Sequence, residues 1–384
     1  MTAPVHAESA IYIGCMSGTS LDGLDCVAAR FDDRGPAIEQ LAQRHYPYPA
    51  DLANALRDAS LQPTDIEEVC RLDAELGQFY AGVIAEFIEH SELPTGEIAA
   101  IGSHGQTLRH APEADPPWTL QIGDASRIAA GCGLRVVSDF RSRDMALGGQ
   151  GAPLTPAFHA WAFRHRNIDR AILNIGGISN LTLLPADPQQ PVTGFDCGPG
   201  NCLIDHLARR DFGQDFDDGG RIAAQGQIAT ERLRQILERE PYFQRKPPKS
   251  TGTDYFSPTW LETSVLADLS PIDRIASATE LTALGIVHSL RRDSNHVDEL
   301  YVCGGGARNR FLMLRLRDHL PEIRVEDSDA LGMDPQQVEA LAFAWLARQT
   351  LLGRPGNLPS VTHARSATVL GCLHLPHEKT GGVC

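Results

Sequence analysis

The chain has 384 residues, enough for roughly two domains with separate cores. Its composition, 42% hydrophobic and 22% charged, is that of a folded globular protein and excludes a disordered one. A net charge of -15 argues against nucleic acid or an anionic membrane surface as the main partner, so an anionic ligand must be held by local donors.

The opening MTAPVHAESA has no basic residue, and the apolar run after it is too short for a signal peptide. No stretch approaches the roughly 20 apolar residues of a membrane span, and nine scattered cysteines without a CxxC pair suit reduced thiols. These features lead to the expectation of a cytoplasmic protein. The first element is a buried strand over 11–14, with a hairpin partner over 26–31 and the segment GCMSGTSLDGLDC joining them. Between residues 65 and 90, Leu72, Leu76, Phe79, Val83 and Phe87 recur at helical spacing and predict a long amphipathic helix. Strands ending at IGSHG (101–105), over TLQIG (119–123) and over LRVVSDF (134–140) complete one α/β domain.

The segment 144–156, carrying GGQGAP, reads as a crossing to a second domain. There AILNIGGISNLTLL (171–184) predicts two strands joined by Gly176 and Gly177, and TGFD (193–196) a third. Helices over 202–210, 221–239 and 275–292, a strand running into CGGG (299–306) and a final helix over 335–351 follow. A glycine-bearing hairpin opens each half, so the expected architecture is two similar α/β lobes facing a cleft.

Three glycine turns are candidates for binding phosphate through backbone N–H groups: 17–23, 174–180 and 303–309. None matches GxxxxGK[ST] or GxGxxG, which removes the P-loop and dinucleotide readings. Asp22 suits either a Mg2+ ion beside an anionic ligand or an Asx turn, and Asp25 reads as a turn former. Asp196 ends a strand before the abrupt CGPGN turn, where it is either a turn former or a carboxylate aimed into a ligand crevice and able to act as general base. His104 is a candidate hydrogen-bond donor to substrate, and the spacing of His104 and His110 does not make a metal site. The basic loop RKPPKSTGTDYF (245–256) is either a solvated excursion or a contact for an anionic group.

In order along the chain, GCMSGTSLDGLDC, GSHGQT, LNIGGISN, FDCGPGN, PPKSTG, VCGGGARN, EALAFAWLA and GNLPSVT closely resemble the anhydro-N-acetylmuramic acid kinases of bacterial cell-wall recycling. The resemblance runs from about residue 11 to 371, nearly the whole chain. It implies an actin-like ATPase fold of two ribonuclease-H-like lobes around a nucleotide cleft, ATP and Mg2+, a small-molecule sugar substrate and a homodimer. The lobes would be 1–140 with 361–384, and 141–360. It assigns phosphate and nucleotide contacts to Gly18, Thr19, Ser20, Leu21, Asp22, Gly23, Leu24, Asp25, Asn174, Gly176, Gly177, Gly304, Gly305, Gly306 and Asn309. Asp196 would be the catalytic base, His104, Gln106, Asp196 and Glu339 would contact the sugar, and Asp22 would serve the metal.

The sequence departs from the family's pattern in three places. Met16 stands where many members of the superfamily have an acidic residue, Thr253-Asp254 follow PPKSTG where Arg-Glu is expected, and His363 replaces a glycine in VTHA. A chaperone-type ATPase or an actin-like polymer subunit would share the lobes, but the latter would need no base at Asp196.

Overall fold

The computed structural model describes residues 10–18, 21–32 and 35–377. Its contacts divide the chain into one unit of Met1–Ala162 with Glu339–Cys384 and another of Phe163–Val338.

In the first unit β1 (Ile11–Met16), β2 (Gly23–Phe31) and β3 (Ile38–Pro47) form an antiparallel meander. On the other side of β1, β4 (Ile98–Ser103) and β7 (Val136–Ser138) add in parallel, while β5 (Gln106–Ala111) and β6 (Trp118–Ile122) make a separate hairpin. Ile11, Ile13 and Cys15 point to one face, into a core built with the helices Ala50–Leu61, Ile66–His90 and Ala125–Cys132. The long helix starts where Asp65 accepts the N–H of Glu67 at 2.8 Å, a capping bond that satisfies one of the orphan donors of the first turn.

The other face of the same sheet is defined by two glycines. Gly14 and Gly102 are register partners on β1 and β4. The helix Val338–Leu351 lies so close that a Cβ at Gly14 would stand 1.8 Å from the carbonyl of Ala340, and one at Gly102 would stand 2.1 Å from that of Phe343. Ala340, Ala344 and Ala347 supply the matching small surface, and every residue from 340 to 347 is buried. This contact moves the border between the units to 338/339, ahead of the expected 360, because the final helix is part of the first core. β13 (Cys372–His374) then pairs with β7 at the sheet edge.

The second unit repeats the pattern. β8 (Arg170–Ile175), β9 (Ile178–Leu184) and β10 (Thr193–Pro199) are an antiparallel meander, and β11 (Glu299–Cys303) and β12 (Arg324–Asp327) add in parallel beside β8. The orders β7-β4-β1-β2-β3 and β12-β11-β8-β9-β10 are thus equivalent, and each is the ribonuclease-H-like arrangement expected of the two lobes. One expected element fails: 221–239 is not a single helix. Short 3-10 turns at Asp218–Gly220 and Ala223–Gln225 precede a helix that begins at Thr230. Gly226, where a Cβ would lie 2.2 Å from the carbonyl of Ile272, lets the extended chain between them pass against the helix Pro271–Asp293.

Two substitutions of opposite sign test this packing. Gly14→Ala must push the final helix off the sheet and is expected to cost about 2 to 3 kcal/mol or more in urea unfolding. His363 holds φ 64° after the turn Pro359–Thr362, a left-handed conformation suited to glycine, so His363→Gly is expected to gain about 0.5 to 1 kcal/mol in the same measurement.

Candidate active site

In the first unit the chain leaves β1 through a braced turn. The buried hydroxyl of Ser17 bonds to Tyr48 Oη at 2.6 Å and donates to Gln106 Oε1, while Gln106 Nε2 donates to the carbonyl of Gly18 at 3.2 Å. Tyr48 Oη continues to Tyr80 Oη at 2.6 Å. Gln106, expected to read the sugar, therefore has both ends of its amide engaged in holding the turn. Thr19 and Ser20 lie outside the described residues. Leu21 takes φ 55°, rare for a bulky residue, and is held there by burial of its side chain in the core, as Leu24 is at ordinary geometry. The buried Gly23 has backbone of Tyr46 2.2 Å from where a Cβ would be, so these three positions offer a ligand only their main chain. Asp25 pairs with Nδ1 of His45 at 2.9 Å, and that bond raises the pKa of His45. Asp22 is the exposed carboxylate of the turn, its carbonyl accepting the N–H of Tyr48 at 3.1 Å.

Next to this turn lies a buried cluster at the end of β4. His104 accepts at Nε2 from Nη2 of Arg141 at 2.8 Å, which places its own proton on Nδ1. Among the described residues that buried Nδ1 finds no hydrogen-bond partner, nor does the hydroxyl of Ser103. Burial, and then the charge of Arg141, push the pKa of His104 down to about 3, so it is a neutral donor across the physiological range. Burial also lowers Arg141 to about 10, opposed by the charges of Glu339 and Asp144. Glu339, an expected sugar contact, is thereby placed in the electrostatic field of the His104 cluster.

Arg141 and Asp144 are missing from the sequence reading, which takes 144–156 as a mere crossing. In the structure Asp144 is fully buried. One oxygen accepts Gly151 N–H at 2.8 Å, and the other accepts Asn357 Nδ2 and Thr362 Oγ1, both at 2.7 Å. Arg141 Nη1 donates to the Gly151 carbonyl at 2.8 Å. The available signal was a pair of opposite charges beside the GGQG run, a combination that suits a loop folded around a carboxylate. A cavity of about 380 Å³ opens on this side of the unit, lined by Ser103, His104, Gln121, Ser138, Asp139 and His374 among others. Its polar, uncharged donors and its carboxylates are the groups that bind a polyol.

In the second unit three motifs converge. The carbonyl of Gly176 accepts Asn201 N–H at 2.8 Å and that of Gly177 accepts Gly200 N–H at 2.9 Å, which docks the CGPGN turn on the β8–β9 turn. A Cβ on Gly304 would lie 2.4 Å from Asn174 Oδ1, and one on Gly306 2.3 Å from Ile175 Cγ2, so these glycines let the β11 turn close against β8. Gly176 and Gly305 have room above their α-carbons, leaving a bare main-chain surface. Asn309 caps the helix Arg310–His319 by accepting Leu312 N–H at 3.0 Å, a structural use of its side chain.

Asp196 sits at a bulge in β10, next to this surface in sequence. Its N–H donates to the Lys249 carbonyl at 3.1 Å, its carbonyl accepts Tyr242 Oη at 2.9 Å, and its Oδ2 accepts Thr251 N–H at 2.9 Å. Burial raises its pKa to about 6, against the Thr251 N–H and the charge of Lys249. A carboxylate poised near neutrality is suited to proton abstraction. The buried Thr251 Oγ1 beside it has no hydrogen-bond partner among the described residues. Among the described residues, the one group whose ligand atoms could meet on a single ion is Asp169, His296 and Asp298, which lie at or next to the starts of β8 and β11, away from the glycine turns.

A family model described as anhydro-N-acetylmuramic acid kinase matches residues 10–376. Curated relatives carrying that name include one from Coxiella burnetii, 44% identical over 94% of this chain and 97% of its own. Another, from Xanthomonas campestris pv. campestris, is 44% identical over 97% of this chain and 100% of its own. Among solved structures, a ligand-bound xylulose kinase from Lactobacillus acidophilus aligns over 96% of this chain and 94% of its own, at 13% identity and a TM-score of 0.43.

The raised pKa of Asp196 has a consequence for stability. A carboxyl whose pKa is higher folded than unfolded binds its proton more tightly in the native state, so its contribution is fully favourable below about pH 4 and is lost as pH rises through about 6. Asp196→Asn is therefore expected to melt at a higher temperature than the parent at pH 8, with the difference vanishing toward pH 4 in calorimetry.

Proposed function

The chain belongs to the anhydro-N-acetylmuramic acid kinase family, and on that premise we propose that it opens 1,6-anhydro-N-acetylmuramic acid with water and phosphorylates O6. The products are N-acetylmuramic acid 6-phosphate and ADP, a step of peptidoglycan recycling. The observation that carries the reading is Asp196, a carboxylate with a pKa near 6 held at three points beside a glycine-lined turn.

In this reading Asp196 takes a proton from the water that attacks the anomeric carbon, and its raised pKa matches it to that task. The Thr251 hydroxyl, without a partner among the described residues, supports a polar ligand at the same place. As the anhydro bridge breaks, O6 leaves the anomeric carbon and becomes the phosphoryl acceptor. Neutral His104 would donate Nδ1–H to a sugar oxygen, with Arg141 fixing its tautomer. The nucleotide phosphates would meet main-chain N–H groups at Gly305, which has room above its α-carbon, and at the turn after β1. Mg2+ would neutralise the charge of the phosphates, and Asp22, exposed and close to that turn, is the residue we assign to it. Family membership further leads us to assign a cytoplasmic homodimer, and no described helix is long and apolar enough to cross a membrane.

The test is a coupled assay of ADP release with and without the anhydro sugar. Release that depends on the sugar is the expected result, whereas equal release without it favours a chaperone-type ATPase. Asp196→Asn is expected to lower turnover by at least about 100-fold while nucleotide binding stays within about twofold. Near-normal turnover in that variant removes Asp196 from the role of base.

A further inference from the structure

The basic loop 245–256 turns out to hide one of its charges. Lys249 is 7% exposed, and its side chain 1%. Its Nζ donates to Ser289 Oγ at 3.1 Å, lies 3.7 Å from Asp293 Oδ2, and stands over the rings of Tyr242 and Phe195 at 5.4 and 5.7 Å. Burying an ammonium is costly unless it is paired, so the sequence alternatives of a solvated loop or an anion contact do not describe this residue.

Asp293 is equally unusual. It ends the helix Pro271–Asp293, where the helix dipole disfavours a negative charge, and its side chain is 4% exposed. It is compensated by Lys249 and by Arg292, whose Nη2 is 2.7 Å from Asp293 Oδ2. Arg292 also donates to the carbonyls of Phe243 and Arg245. The last turn of this helix therefore grips the excursion 242–251 at several points. That same excursion grips Asp196 through the Tyr242 hydroxyl, the Lys249 carbonyl and the Thr251 N–H.

We propose that Lys249 is a positioning residue: its buried ion pair with Asp293 anchors the excursion against β10 and so fixes the orientation and ionisation of the Asp196 carboxylate. This rests on the reading of Asp196 as base. Lys249 makes no contact with substrate in it and acts through the residue it holds. The titratable and charged groups that face Asp196 or the Lys249 beside it are Tyr242 and Arg245 on the excursion, Cys197 on the strand of Asp196, and His288, Arg292 and Asp293 on the helix. In this set Lys249 is the charged residue whose field acts on the carboxylate, and it favours the ionised form, while Tyr242 and Cys197 are themselves held neutral by burial, which drives both their pKa values up.

The experiment replaces Lys249 by Met and, separately, by Gln in the full chain, and follows two readouts. One is the pH profile of turnover, and the other is the titration of Asp196 itself by carboxyl 13C NMR of the sugar-free protein, assigned with Asp196→Asn. Loss of the ammonium is expected to move both midpoints to higher pH by about 0.5 to 1 unit. That shift alone lowers the ionised fraction at pH 7 by less than about twofold, so an expected fall in turnover of about 10-fold or more, with the KM for ATP within about twofold, reads the lost orientation of the carboxylate. Unmoved midpoints in whichever variant folds overturn the proposal, even if turnover falls, because a merely structural lysine would leave the titration alone. Full turnover in Asp196→Asn is a different failure: it removes the base, while the NMR midpoint still reports whether Lys249 controls the carboxylate.

Discussion

Two adjacent glycines with nothing between them and a helix backbone set the construction of the first unit. With Gly14 and Gly102 side by side on β1 and β4, the sheet presents a bare groove, and the helix Val338–Leu351 fills it at a separation no side chain would allow. The chain must therefore run through the whole second unit before the first core is complete. The same closeness decides what the ends of these strands carry. β1 leads into the Ser17 turn, β4 ends at Ser103 and His104, and the helix brings Phe343 to 4.7 Å from the His104 ring and Glu339 into the field of Arg141. Removing two side chains from a sheet thus lets a helix backbone close over a buried, charged cluster in which histidine stays neutral.

Asp196 in the second unit is held by a different device. A carboxylate pushed to a pKa of about 6 is one that the folded protein stabilises poorly, and a strand end would relax away from such a position unless its backbone were pinned. The pins are the excursion 242–251, and the pins themselves are secured at the end of the helix Pro271–Asp293 by buried charge. Stability is given up at one carboxylate, while the excursion that pins it is held by the mutual aromatic packing of Tyr242, Phe243 and Phe256. Natural sites often trade in this way, since a group relaxed into its best environment has little left to drive chemistry.

Much of this was legible in the residues. The buried run of β1 and its hairpin partner, the three strands of the second meander, the helix over 66–90 and the glycine turns all follow from local pattern, because backbone preference and burial act over a few positions. Asp196 could be singled out only with its alternative beside it, because a carboxylate at a strand end before Gly-Pro serves a turn as readily as a ligand crevice. What stayed hidden depends on residues far apart in sequence. Asp144 is satisfied by Asn357 and Thr362, and no local signal links them. The strand Ile38–Pro47 is half exposed and mixed in composition, so alternation is weak there. The helix Val338–Leu351 shows helical spacing but is buried all round, which hides the fact that its alanine face, not its large residues, makes the decisive contact. Lys249 reads as a surface charge because nothing in PPKSTG shows that Asp293 waits for it.

The two units share a sheet order, yet their chemistry comes from what each inserts into it. In the first unit the link after β4 carries the hairpin β5–β6, which supplies Gln106 to brace the turn and Gln121 to line the cavity. In the second the link after β10 is much longer and builds a core of its own, from Leu203 and Leu207 through Tyr242 and Phe256 to Ile275 and Leu281. That extra core gives the excursion around Asp196 something rigid to fold against. A duplicated sheet alone would provide two sets of glycine turns and strand ends of equal standing. The asymmetry of the insertions is what makes one strand-end carboxylate half-buried, gripped and titratable near neutrality, and the other strand ends a surface for hydroxyl and amide donors.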